Sequence, residues 1–338
     1  MRASHFGKQM TQLASSLVLA LLCGQTFAQP PDIDRIVAFG ASLSDSGNSF
    51  VWLAEPENSD CGTRLIVPPY DALDDLLVPD GAYAKGGHHF TNGATWVEGL
   101  ARHLALAGNT RPAFRNGGKK ASNYAVGGAR AVAGFPCRFN LPAQVNTYLG
   151  DFGSTSSRTL VAIEIGGNDV RDALVAALTP GGDPAQKIQD ALTSLFQSIN
   201  RLYGSGAVNF LVLNVPDIGQ SPAVRAIDQA NGAGGAIIAL AGSLTDAYNA
   251  NLAALVNNLG AYPGIDIKIL DVHRTLDDVL ASPEDYGFAN ASDPCISPMQ
   301  PPYQCESPDQ FVFWDGTHPT RAMHAIVAQQ AIAAISAP

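Results

Sequence analysis

Apolar residues gather in short, strand-like runs that recur along the chain. Such runs predict strands buried on both faces, because a half-exposed strand would alternate apolar and polar residues. The predicted strands are Ile33–Phe39, Leu160–Ile165, Val208–Val215 and Ile265–Val272. Glu164 is the one polar residue that interrupts the second of these runs.

Longer segments between the runs carry apolar residues at helical spacing. The predicted helices are Trp96–Leu106, Ala185–Tyr203, Ile237–Leu259 and Thr320–Ile335. Strands that alternate with helices predict an α/β fold with a parallel sheet covered on both sides. In such sheets, reactive groups collect at the carboxyl ends of the strands.

The first residues have the features of a secretory signal peptide. Arg2 and Lys8 precede the apolar run Leu17–Leu22, which is followed by the stretch Thr26–Ala28 with its small residues. The run is too short for a membrane helix, which needs about 20 apolar residues. We therefore expect residues 1–28 to be removed on export to the periplasm or the extracellular medium.

A lipid anchor on Cys23 is the alternative, although Leu22 before it is bulkier than the residue that such sites usually take. Beyond residue 28 the chain shows no internal repeat and no charged or Ser/Pro-rich linker. We therefore expect one domain over residues 29–338.

Composition and charge narrow the class of protein further. Hydrophobic residues make up 46% of the chain and charged residues 15%, which favours a packed core over disorder. The net charge is −10 and no cluster of lysine and arginine occurs, so we expect no nucleic-acid partner. No later segment is apolar for long enough to insert stably in a membrane.

Four cysteines remain once Cys23 is set aside, namely Cys61, Cys137, Cys295 and Cys305. An even number in an exported chain suggests two disulfides, which four cysteines can form in three ways. The short separation favours a bond between Cys295 and Cys305, which leaves Cys61 with Cys137. None of them has CxxC spacing, so the sequence gives little support for a zinc site.

Ser42 is the first candidate for chemistry, because it stands where the first predicted strand gives way to a turn. Gly40 and Ala41 leave room for a substrate to approach. A helix after the turn would aim its N-terminal amides at the site. A serine hydroxyl is a poor nucleophile until a neighbouring base takes its proton. Taken alone, a turn that caps a helix is the simpler interpretation.

The base is sought among the seven histidines. His318 differs from the others because Asp315 stands three positions before it, across a turn that contains Gly316. This spacing allows Asp315 to accept the Nδ1 proton of His318 while Nε2 faces Ser42. The alternative is an Asp turn that leads into a helix begun by Pro319.

Two further segments offer hydrogen-bond donors. Asn168, in Gly166–Asp169, directly follows a predicted strand, so its side-chain amide could face a tetrahedral oxyanion. Gly128, in Asn123–Ala129, could offer a bare backbone N–H to the same oxyanion. The alternatives are a tight glycine turn with a left-handed Asn168, and a plain loop glycine at Gly128.

In chain order, the segments around Ser42, Gly128, Asn168 and His318 resemble the four sequence blocks of the SGNH hydrolases, also called GDSL lipases and esterases. Asp-Gly-Thr-His-Pro and Gly-Gly-Asn-Asp are the most specific of these motifs. Other stretches resemble the branch with bacterial phospholipase, lecithinase and haemolysin-type enzymes; they are Phe90–Gly93, Trp96–Glu98, Gln144–Leu149, Asn214–Asp217 and Tyr286–Phe288.

The resemblance implies a three-layer α/β/α sandwich with a central, mostly parallel five-stranded sheet of flavodoxin-like type. It implies Ser42 as the nucleophile and as one N–H donor of the oxyanion hole. Gly128 would give a second N–H and Asn168 a side-chain donor. His318 would act as general base and then acid, oriented by Asp315. The resemblance implies no metal or other cofactor.

One position departs from the family pattern. Ala41 stands where the Gly-Asp-Ser-Leu motif has Asp. That Asp is not the triad carboxylate, so we expect activity to survive, with either a looser turn or a shifted substrate preference. The Gly-x-Ser-x-Gly elbow of the α/β-hydrolases is absent around Ser42, which separates the two folds.

These residues predict an exported, monomeric serine esterase or lipase whose partner is a small-molecule or lipid ester, with lipid or phospholipid acyl esters favoured. A short-chain or carbohydrate acetyl esterase is the alternative within the same chemistry. A non-catalytic binding protein on the same scaffold is the alternative of another class, and only Ala41 favours it. The apolar stretches Leu65–Tyr70 and Leu76–Val78 would line an acyl pocket or serve as buried packing.

Overall fold

The computed structural model of the 338-residue chain describes residues 32–54, 88–116, 121–134, 139–296 and 304–337. The predicted signal peptide, the stretches Leu65–Tyr70 and Leu76–Val78, and the cysteines Cys61 and Cys137 lie outside the described residues.

The centre of the fold is a parallel sheet. Its strands are β1 (Arg35–Gly40), β2 (Thr159–Glu164), β3 (Asn209–Leu213) and β4 (Asp266–Leu270). They lie side by side in chain order, and each pair runs parallel. All four predicted strands are confirmed, with ends that shift by one or two residues.

The main sheet has four strands among the described residues, where the family resemblance implied five. Segment 122–126 lies in the fifth position, beside β1. The Ala38 N–H donates to the Ser122 carbonyl at 2.9 Å, and the Tyr124 N–H donates to the Ala38 carbonyl at 2.8 Å. Pairing with β1 takes the form of one bridge, between Ala38 and Asn123, and the Val126 N–H also donates to the Gly40 carbonyl at 3.1 Å.

Helices connect the strands and cover both faces of the sheet. They are α1 (Asn48–Ala54), α2 (Trp96–His103), α3 (Ala113–Asn116), α4 (Leu141–Phe152), α5 (Gly167–Leu178), α6 (Pro184–Gly204), α7 (Pro222–Ala230), α8 (Ala236–Leu259), α9 (Val272–Ala281) and α10 (Arg321–Ser336). None of these described helices is both long and apolar enough to cross a membrane.

Alternate residues of each strand point to opposite faces, so the sheet divides two hydrophobic cores. Val37 and Phe39 of β1 pack with α4, α5, α6 and α8. Ile36 and Ala38 pack with α2, α9 and α10. The two helical layers and the sheet between them make a three-layer α/β/α sandwich, so the predicted fold class is confirmed.

A small second sheet lies beside the main one. It pairs β5 (Asn290–Pro294) with β6 (Phe311–Phe313) in parallel. Cys295, directly after β5, forms a disulfide with Cys305, with 5.6 Å between the two Cα atoms. This bond is the one expected from sequence spacing.

Candidate active site

β1 ends in a tight turn that carries Ser42. Gly40 has a φ of +151°, and a Cβ atom there would lie 2.1 Å from the Glu164 carbonyl oxygen on β2. Only glycine allows the two strands to approach this closely at their carboxyl ends. The turn closes with hydrogen bonds from the Ser44 and Asp45 N–H groups to the Ala41 carbonyl, at 3.2 and 3.0 Å.

Asp45 joins this turn to the glycine turn that contains Gly128. One oxygen accepts the N–H groups of Gly47 and Asn48, both at 2.7 Å. The other accepts the Gly127 N–H at 2.8 Å, as well as the hydroxyl and N–H of Ser49. Burial raises the pKa of Asp45, and these hydrogen bonds lower it in part. Sequence reasoning gave this residue no role, because the link that it makes to Gly127 exists only in the folded chain.

Two asparagines connect the same turns. The Asn48 side-chain amide donates to the carbonyls of Asn123 and Ala125, at 2.7 and 2.9 Å. The Asn123 amide donates to the Ser44 carbonyl at 2.7 Å. All of these side chains except the small Ala125 are polar and buried, so each bond replaces a lost contact with water. The position of Ser42 therefore depends on a hydrogen-bonded network rather than on one turn.

His318 reaches Ser42 from a turn between β6 and α10. Asp315 is fully buried, and its Oδ1 accepts the N–H groups of Thr317 and His318, both at 2.8 Å. The Nδ1 atom of His318 lies 2.8 Å from Asp315 Oδ2, and its Nε2 lies 2.9 Å from Ser42 Oγ. The structure therefore brings Ser42, His318 and Asp315 into one hydrogen-bonded line.

Asn168 and Gly128 face the same space. Both line the cavity that contains Ser42 and His318. Asn168 is the second residue of α5, and its Nδ2 donates to the Ala129 carbonyl at 2.9 Å. Gly128 has a φ of +74°, which lets the backbone bend sharply beside Ser42 without a side chain in the way.

Asp169 fixes the distance between these two segments. Its carboxyl oxygens accept the Ala131 N–H at 3.1 and 3.0 Å, which ties α5 to the loop after Gly128. Burial raises the pKa of Asp169 to about 7. Sequence reasoning quoted this residue within a motif but gave it no role.

The cavity extends from Ser42 into the core between the sheet and the helices α2, α9 and α10. Its inner wall is mostly apolar, with contributions from Trp96, Leu213, Val272, Leu276, Met323 and Val327. His324 and Glu164 also line it. Burial lowers the pKa of His324 to about 3, so its ring is neutral, and Nδ1 lies 3.3 Å from the Trp96 backbone nitrogen. Burial raises the pKa of Glu164 to about 8.

Two further histidines lie close to carboxylates. His89 lies 2.9 Å from Glu98, and His273 lies 3.3 Å from both Asp246 and Asp277. Across the described ranges, no group of three or more His, Cys, Asp or Glu side chains is placed to hold a metal ion.

The chain is similar in sequence to known proteins. The profile of the family described as GDSL-like Lipase/Acylhydrolase matches residues 36–331. Two Arabidopsis thaliana proteins named GDSL esterase/lipase are 30% and 25% identical. The first alignment covers 86% of this chain and 85% of the plant protein, and the second covers 94% and 92%.

A bacterial relative is the thermolabile hemolysin of Vibrio parahaemolyticus, which is 27% identical to this chain. The alignment covers 89% of this chain and 64% of the hemolysin, so the chain spans just under two thirds of that protein's length.

Proposed function

The chain belongs to the GDSL-like lipase/acylhydrolase family. Within this family, we propose that it is an exported serine hydrolase whose nucleophile is Ser42. Membership in the family makes it a carboxylic ester hydrolase. The proposal names the residues that perform the reaction, the esters that the enzyme cleaves, and the place where it acts.

One observation carries the proposed mechanism, namely the buried line from Asp315 through His318 to Ser42, with contacts of 2.8 and 2.9 Å. His318 Nε2 removes the Ser42 proton as Ser42 Oγ attacks the ester carbonyl carbon. Asp315 stabilises the imidazolium that forms and keeps the ring oriented. The tetrahedral intermediate then expels the alcohol, which takes the proton from His318.

Three donors are proposed to hold the negative oxygen of that intermediate. They are the N–H groups of Ser42 and Gly128 and the side-chain amide of Asn168. The two side chains and the glycine line one cavity, which supports a common target. Donors that are fixed before the reaction stabilise the developing charge at little reorganisation cost.

Water completes the reaction. His318 removes a proton from a water molecule, whose oxygen attacks the acyl-enzyme carbonyl. The second tetrahedral intermediate releases the acid, and Ser42 regains its proton from His318.

The apolar inner wall of the cavity favours lipid or phospholipid acyl esters as substrates. Leu213, Leu276 and Val327 offer an acyl chain a surface from which water is largely excluded. A short-chain or carbohydrate acetyl esterase is the second candidate, because the chemistry at Ser42 does not depend on chain length.

Export and a single domain over residues 29–338 complete the proposal. The N-terminal sequence pattern predicts export, and the disulfide between Cys295 and Cys305 fits an oxidising compartment. The negative net charge of −10 favours neither nucleic acid nor an anionic membrane as a partner.

Hydrolysis of a nitrophenyl ester series from acetate to palmitate, together with release of fatty acid from phosphatidylcholine, tests the function. We expect activity that rises from acetate toward medium or long acyl chains. Ser42→Ala should lower kcat by about 10⁶, as loss of a catalytic serine typically does. Ser46→Ala, which removes a neighbouring hydroxyl, is the matched control and should cost less than tenfold.

A preference for acetate would support the second candidate. Absence of turnover on every ester, with tight binding retained, would support the non-catalytic alternative.

A further inference from the structure

Glu164 brings a carboxyl group to a mostly apolar strand. It is the last residue of β2 and pairs with Gly40 in the sheet, directly before the nucleophile turn. Leu160 and Ala162 belong to the core on the α2, α9 and α10 side, and strand alternation puts Glu164 on that same side. The side chain lines the cavity, and the residue is only 7% exposed.

The carboxyl group contacts the turn on both sides of Ser42. Glu164 Oε2 accepts the Ala41 N–H at 3.2 Å, in addition to the bond that Ala41 makes to the Glu164 carbonyl. The hydroxyl and N–H of Ser44 also interact with the carboxyl group. The Ser44 hydroxyl in turn accepts the Trp96 indole N–H at 2.9 Å. Ala41 and Ser44 flank the nucleophile, so this one side chain holds the turn at two points.

Position 41 explains why such a contact matters in this chain. Ala41 brings no polar side chain to the turn, so the side-chain acceptor for the turn on this face of the sheet comes from the neighbouring strand. Glutamate is long enough to reach from β2 to the N–H beside Ser42.

Burial raises the pKa of Glu164 to about 8, and the bonds from Ala41 and Ser44 offset only part of that rise. The surrounding elements bring four further titratable groups toward this region. Tyr248 on α8 interacts electrostatically with both Glu164 and Asp169 of α5. His318 and His324 line the same cavity.

Arg171 of α5 and Asp217 also line the cavity. At neutral pH Glu164 is therefore mostly protonated, and it gains a negative charge as the pH rises through about 8.

We propose that Glu164 is a positioning residue, holding Ala41 and Ser44 so that the hydroxyl and N–H of Ser42 keep their places. This inference rests on the proposed function of Ser42. Ionised Glu164 puts a negative charge next to the site where the oxyanion forms, and like charge opposes that step. The effect of Glu164 on activity is therefore absent below its pKa, and activity declines above it.

The test compares kcat across pH 6 to 9.5 for nitrophenyl butyrate hydrolysis, with the spontaneous rate subtracted. Glu164→Gln keeps the shape and an acceptor oxygen but cannot ionise. We expect it to stay within about threefold of the wild type at pH 7 and to remain flat to pH 9.5, while the wild type falls by tenfold or more. Glu164→Leu removes the acceptor and should lower kcat at pH 7 at least tenfold with KM little changed.

Asp169→Asn is the matched control, because Asp169 is another buried carboxyl near the site, and burial raises its pKa to about 7. The alkaline decline should persist in this variant. Circular dichroism and thermal melting identify any variant that fails to fold, and Glu164→Gln alone still decides the question. An alkaline decline that survives in Glu164→Gln, or that disappears in Asp169→Asn, would overturn the proposal.

Failure of this inference is distinct from failure of the proposed function. If the wild type hydrolyses esters through Ser42 but substitutions at position 164 leave the pH profile unchanged, only the positioning role is refuted. A wild type without ester hydrolysis refutes the proposed function itself.

Discussion

The two faces of the central sheet have different interiors. On the face covered by α4, α5, α6 and α8, large apolar side chains such as Phe39, Leu195 and Leu252 pack into a continuous core. The face covered by α2, α9 and α10 contains apolar residues as well, but it also contains the cavity with Glu164 and His324. The first face holds the sheet in shape, and the second leaves room for a substrate beside Ser42.

Strand β2 shows how a single segment serves both faces. Ile163 points into the first core, and Glu164, the next residue, lines the cavity. Substitutions on the two faces should therefore have separable consequences. Changes on the cavity side should alter the reaction or its selectivity, and changes on the other side should alter the free energy of unfolding.

The largest effect is expected for Asp315→Asn, on the cavity side. Asparagine can fill the space of the carboxylate, but it favours the wrong histidine tautomer and cannot stabilise an imidazolium. We expect kcat to fall by about 10⁴ with little change in the melting temperature. Steady-state kinetics on nitrophenyl butyrate measures the first quantity and thermal melting the second. A decline of less than tenfold would show that His318 does not depend on this carboxylate.

Asn168→Ala should have the next largest effect. Loss of one oxyanion donor costs about 2.7–4 kcal/mol of barrier, or about 10²–10³ in kcat. KM should stay within a few fold, because the donor acts on the transition state. The Asn168 amide also bonds to the Ala129 carbonyl, so the free energy of unfolding is measured in parallel. An unchanged kcat would remove Asn168 from the oxyanion hole.

Leu252→Ala probes the opposite face. Leu252 on α8 is fully buried among apolar side chains, so its truncation leaves a cavity. We expect a loss of about 2–5 kcal/mol in the free energy of unfolding, measured by urea denaturation. The kcat of the folded fraction should remain within about threefold of the wild type. A large loss of kcat without loss of stability would contradict the expectation that this face of the sheet affects stability alone.

Leu276→Trp should give the smallest but most selective effect. Leu276 on α9 lines the cavity away from Ser42, and a larger side chain there shortens the space for an acyl chain. We expect kcat/KM for nitrophenyl laurate to fall about tenfold relative to the butyrate ester, about 1.4 kcal/mol of selectivity. Equal losses on both esters would indicate general damage, and no change on either would place the acyl chain elsewhere.

The sequence was most informative where one residue pattern implies one geometry. Short apolar runs predicted the four strands, and the Asp315–His318 spacing predicted the contact that the turn makes, with 2.8 Å between Nδ1 and the carboxylate. The catalytic roles of these residues stay predictions.

The sequence was least informative where contacts join distant segments. No signal in the sequence marked the bond from Gly127 to Asp45 or the bond from Ala41 to Glu164, because each joins segments that come together only in the folded chain. The run Ile265–Val272 also concealed a boundary, since Asp271 caps α9 directly after β4. Segment 122–126 could not be identified as an irregular edge of the sheet, because a single bridge to a strand more than 80 residues earlier leaves no pattern in the sequence.

Covalent labelling of the wild type with a fluorophosphonate, followed by mass mapping of the tagged peptide, identifies the nucleophile. The chemistry proposed at Ser42 predicts one label per molecule, located on Ser42, that is lost in Ser42→Ala and much slower to form in His318→Ala. A label on Ser44 or Ser46, or no label on a folded protein, would contradict the assignment of Ser42 as the nucleophile.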